Sequence, residues 1–129
     1  MRSSEEHKGQ EGVHNNGNSV LGVAFISAPS DKAEQIANRI VADRLAACAQ
    51  ITQEVTSIYR WQGVVHREPE RLILLKTMRS LLPHIRGLLY EIHPYQVPEL
   101  VFCTFQWGST DYLAWLSESL LPADLTEKS

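Results

Sequence analysis

Apolar residues along this chain fall into segments of two different periods. Val20-Leu21-Gly22-Val23-Ala24-Phe25-Ile26 is a short continuous apolar run and predicts a buried strand. Ser27-Ala28-Pro29-Ser30 breaks it. Ala33, Ile36, Ala37, Ile40, Val41 and Leu45 then recur mostly three and four apart, which predicts an amphipathic helix, with Asp31 and Glu34 placed like a capping box at its start. From Ala47 to Trp61 the spacing changes to two. Ala47, Ala49 and Ile51 share one face, Cys48, Gln50 and Thr52 the other, and the segment reads mostly as one long strand. Gln62-Gly63 is a hairpin turn, and the return strand runs through Arg71 to Thr77. Ser80 is placed to cap a second helix, with Pro83 in its first turn and Leu81, Ile85, Leu88, Leu89 and Ile92 on its apolar face. Pro94 and Pro98 end that helix. Leu100 to Phe105 is a further strand, and Ser109 to about Leu120 a short third helix.

The order β-α-β-β-α-β plus a C-terminal helix predicts an α+β domain of the ferredoxin-like, split βαβ type, with its two main helices on one face of an antiparallel sheet. The domain occupies residues 20–120. Residues 1–19, rich in Ser, Glu, Gly, Asn and His, have no periodicity and are expected to be a disordered tail, and 121–129 a flexible C-terminus. His7 and His14 fall in that tail as solvated residues.

The strands do not alternate cleanly between apolar and polar positions. Leu72 to Leu75 is apolar at four consecutive positions, and Val23 to Ile26 and Leu100 to Cys103 are similar. Both sheet faces therefore call for burial, and two helices cover only one. A further copy of the chain is the simplest cover. A hairpin with strands of about fifteen residues, far beyond the usual ~5–6, would also project past the sheet and offer an edge to a neighbour.

Composition narrows the function. The formal net charge is −3, with 12 Lys and Arg against 15 Asp and Glu and no basic run, which argues against a nucleic-acid partner. No apolar segment approaches the ~20 residues of a membrane span. The first residues lack the apolar core of a secretory signal. Cys48 and Cys103 lie apart in apolar stretches, so a reducing, cytoplasmic setting is expected, with Cys103 in the core. His66 and His84 are expected to face solvent. No nucleophile has an evident neighbouring base, so the chain reads as a binding protein rather than an enzyme.

Five segments carry a family resemblance. Leu45-Ala46-Ala47-Cys48-Ala49-Gln50-Ile51 is similar to L-A-A-C-V-N-I, and Thr56 to Gly63 to S-x-Y-x-W-x-G. Leu74-Leu75-Lys76-Thr77 matches a strand ending in K-T. His93-Pro94-Tyr95-Gln96-Val97-Pro98-Glu99 is similar to H-P-Y-E-x-P-E, and Tyr112-Leu113-Ala114-Trp115 to Y-L-x-W. Together, over residues 20–120, they resemble the CutA family of divalent-cation tolerance proteins. The resemblance implies a ferredoxin-like subunit akin to the PII signalling proteins, a compact homotrimer, and a role in tolerance of divalent metal, copper above all. It implies no required cofactor beyond that metal. Two positions depart from the pattern: Gln96 replaces a Glu and Gln50 an Asn.

On this footing Cys48 and His93 are the metal-ligand candidates, since a thiolate and an imidazole suit copper. Tyr59, Trp61, Lys76, Tyr95, Gln96 and Glu99 are candidates to line a cleft between subunits. With one cation and one carboxylate, such a cleft would suit a small anionic or zwitterionic ligand. The alternatives are a PII-like metabolite sensor and a structural or anchoring trimer without a small ligand.

Overall fold

The computed structural model describes residues 20–122. The expectations for residues 1–19 and 123–129 lie outside the described residues. The elements are β1 (Leu21–Ala28), α1 (Ala33–Ala42), β2 (Cys48–Ile51), β3 (Val55–Trp61), β4 (Val64–Met78), a 3-10 turn (Arg79–Leu81), α2 (Leu82–Ile92), β5 (Val101–Thr104) and α3 (Thr110–Ser119). They form a mixed α/β fold with a five-stranded antiparallel sheet and three helices. The strand order is β2-β4-β1-β5, with β3 also paired to β4.

Strand β4 organises the sheet. Its second half, from Arg71, pairs with β1 over the full length of β1 (Ala28↔Arg71 to Leu21↔Met78). The same half pairs with β2 on its other edge, Cys48↔Lys76 to Ile51↔Ile73. Its first half pairs only with β3, Val55↔Glu70 to Trp61↔Val64, and so projects as a two-stranded hairpin. The turn is Gln62-Gly63, with φ of 52° and 80°, the left-handed pair that matches strand twist in a two-residue hairpin. The expected single strand from Ala47 to Trp61 is two strands. Thr52 still donates its N–H to the Leu72 carbonyl, but its hydroxyl takes the place of its carbonyl in accepting the Leu72 N–H, and Gln53 and Glu54 leave the ladder.

One face of the sheet is the core. Ala24, Ile26 and Ala28 of β1 and Ile73 and Leu75 of β4 are fully buried beneath Ile36 and Ile40 of α1 and Ile85 and Leu89 of α2. Thr77 lies in the same layer, its hydroxyl donating 2.6 Å to the Leu45 carbonyl. The alternate residues Val23, Phe25, Leu72 and Leu74 are only half-buried on the opposite face. There the cross-strand rows are Cys48–Lys76–Val23–Cys103 and Gln50–Leu74–Phe25–Val101. Cys103 is therefore exposed on an edge strand and not in the core, because Phe102 is the β5 residue that packs inward.

Neither predicted side-chain cap forms. Helix α1 starts after Lys32 without a capping side chain, so Asp31 and Glu34 make no capping box. A 3-10 turn precedes α2, whose N-cap is Leu81, and the Ser80 hydroxyl is buried without a partner. Arg44 follows α1 with φ 62°, a conformation that usually favours glycine. The position sends its guanidinium to the carbonyls of Glu118, Ser119 and Leu120, which ties the C-terminal end of α3 to that of α1.

Candidate functional site

The cleft lies where the projecting hairpin leaves the sheet. Ser57, Tyr59 and Trp61 share one face of β3, and Glu70 of β4 stands on that same face opposite Val55. The segment after α2 closes over them. Pro94 forces His93 into an extended conformation (φ −84°, ψ 138°), which stops the helix and turns the chain back across the sheet. A cavity of about 590 Å³ results, walled by Tyr59, Trp61, Tyr95 and Val97, with Ser27, Glu70, Gln96 and Glu99 as its polar groups.

Hydrogen bonds hold this arrangement from His93 outward. The His93 ring is buried, with Nε2 2.7 Å from the Ser27 carbonyl oxygen. Its Nδ1 accepts the Tyr95 backbone N–H at 3.1 Å. A carbonyl can only accept and an amide N–H can only donate, so the ring is the Nε2–H tautomer with both nitrogens committed. Tyr95, its ring 4.7 Å from the imidazole, donates its phenol to Glu70 Oε2 at 2.5 Å. Ser27 Oγ donates to Glu99 Oε1 at 3.2 Å. The two carboxylates of the cleft are thus linked through Tyr95, His93 and Ser27.

Glu70 is 5% exposed. Among the described residues no cationic side chain pairs with it, and the Tyr95 phenol is its hydrogen-bond donor. A buried carboxylate with one neutral donor retains a large unmet demand for positive charge. Tyr95 responds to the same setting. Burial, then the hydrogen bond and charge of Glu70, hold its phenol well above the ordinary tyrosine value of 10.0. Stability linked to that proton is present below the ordinary value and is lost as pH rises above it. Tyr95→Phe is expected to lower stability at pH 7 by about 1–3 kcal/mol, since it leaves Glu70 without its donor. It should also flatten the alkaline limb of the stability curve. Denaturant melts of both proteins at pH 7 and pH 10.5 check this; equal stability at pH 7 would contradict it.

Within one chain the structure brings together five of the six residues expected at a cleft between subunits, Tyr59, Trp61, Tyr95, Gln96 and Glu99. Lys76 is elsewhere. It stands six residues along β4 from Glu70, about 20 Å at strand rise, donates to Gln50 Oε1 at 3.1 Å, and lies 6.0 Å from the Tyr112 ring centroid. Among the described residues of one chain the cleft therefore has carboxylates and no ammonium. Glu70 takes the place in the cleft that sequence reasoning gave to Lys76.

Cys48 and His93 are not brought together. Cys48 shares a row with Lys76 and Val23, whereas His93 sits at Ser27, four residues further along β1 and two strands across. Among the described residues no group of three or more His, Cys, Asp and Glu is arranged to hold a metal. His66 is half-buried and stacks on Tyr59 with ring centroids 5.3 Å apart. His84 is half-buried, and its Nδ1 is buried without a hydrogen-bond partner, so neither histidine is simply solvent-facing. No helix among the described residues is long and apolar enough to cross a membrane.

A family model described as CutA1 divalent ion tolerance protein matches residues 22–119. The divalent-cation tolerance protein CutA of Thermus thermophilus is 43% identical over 98 residues, covering 75% of this chain and 95% of that protein. Human protein CutA is 35% identical over 99 residues, covering 76% of this chain. The chain matches only 55% of the human protein's length. Among solved structures, the divalent cation tolerance protein of Thermus thermophilus superposes with a TM-score of 0.76 at 40% identity, covering 78% of this chain and 99% of that one. CutA1 from Oryza sativa gives 0.76 at 31% identity, covering 79% and 94%.

Proposed function

Because the chain belongs to the CutA1 divalent ion tolerance family, we propose that it is a homotrimeric cation-binding protein whose cleft holds a divalent cation at Glu70 and Glu99. The observation that carries this reading is the buried Glu70 carboxylate, which faces a cavity and, among the described residues, pairs with no cationic side chain. A divalent ion supplies the missing charge. The oxygens of Glu70, Glu99, Ser27 and Tyr95 are hard donors of the kind such ions take. The His93 ring positions Tyr95 and Ser27 here and has no lone pair to offer. Cys48 stands too far away to share the ion. Copper remains the tightest expected ligand among first-row divalent ions, on the general order of affinities and without a thiolate.

A closed trimer of ferredoxin-like subunits supplies the missing cover. The half-buried residues Phe25, Leu72 and Leu74, the 53% exposed Val101 and the free edges of β3 and β5 all support it. The ion-binding part of the reading is supported by the relatives' ion-tolerance names. The reading is one of binding rather than catalysis. The free thiols of Cys48 and Cys103 fit the proposed cytoplasmic setting.

Equilibrium titration with Mn(II) and Cu(II) tests it. Wild type should bind one ion per chain, and Glu99→Gln should weaken binding roughly tenfold or more, while Cys48→Ser leaves it unchanged. Loss of binding in Cys48→Ser with retention in Glu99→Gln would overturn the assignment.

A further inference from the structure

We draw no further inference here: the strongest candidate, the exposed surface patch formed by the stacked Tyr112 and Trp115 rings of α3 beside the open sheet face, already holds the Lys76 ammonium 6.0 Å from the Tyr112 ring centroid, and nothing in the structure shows what covers it.

Discussion

Gly22→Ala is expected to lower the stability of the protein by about 3 kcal/mol or more, at the upper end of what overpacking costs. A Cβ at this position would lie 2.2 Å from the Cys103 carbonyl oxygen, 2.7 Å from the Phe102 ring and 2.9 Å from the Thr104 Cα. Two of these obstacles are backbone, and the backbone of a paired strand cannot move aside without giving up its ladder. Gly22 pairs with Thr104, so β5 would separate from β1 along its four-residue contact. Phe102, which packs over the glycine onto the core, would be displaced with it. Thermal melting should fall by roughly 10 °C or more. Gly87, in the middle of α2, is the control. A Cβ there meets nothing within 4 Å, so Gly87→Ala should raise stability by about 0.5–1 kcal/mol through helix propensity. A Gly22→Ala protein that melts like wild type would show that β5 is not held as described.

Leu74→Asp should convert the assembly to single chains. Leu74 lies in the row Gln50–Leu74–Phe25–Val101 on the face opposite the two main helices, where it is half-buried in one chain. In an isolated subunit the new carboxylate keeps access to water, and the core layer of Ala24, Ile26, Ile73 and Leu75 is untouched. In the proposed trimer the same carboxylate is buried against a neighbour's apolar surface, at a cost of several kcal/mol in each contact. Light scattering should give three times the 14.6 kDa chain mass for wild type and the single-chain mass for the variant. Far-UV circular dichroism should remain that of a folded α/β protein. A variant that keeps the wild-type mass would place the interface elsewhere.

The strands, helices and partition of the sheet into two faces were legible because they are local. The continuous apolar runs Val23 to Ile26 and Leu72 to Leu75 called for burial on both faces; the structure buries Ala24 and Leu75 on one face and leaves Phe25 and Leu74 half-buried on the other. The first half of β4 was legible only as the excess length of the expected fifteen-residue hairpin strands, which the 15-residue β4 matches, and not from its hydrophobicity. Val64 to Glu70 has few apolar residues because the hairpin projects beyond the core, so no hydrophobic pattern marks it as a strand. Cys103 misled because an apolar run on an edge strand still has an outward face. The site divided along the same line. His93 to Glu99 and Tyr59 to Trp61 were legible as motifs. Lys76 is absent from the cleft because alternation fixes the face of a residue and not its row. Glu70, embedded in Arg67-Glu68-Pro69-Glu70-Arg71, has the sequence appearance of a solvated charge. Only the long-range return of Tyr95 buries it and gives it a hydrogen-bond donor.

The placement of the cation in the cleft is tested most directly by anomalous diffraction from crystals grown with Mn(II), which has few competing scatterers in this chain. The account predicts one strong peak per chain between the carboxylates of Glu70 and Glu99, with none at Cys48. A peak at Cys48, or at His93 with its ring turned away from Ser27, would contradict it.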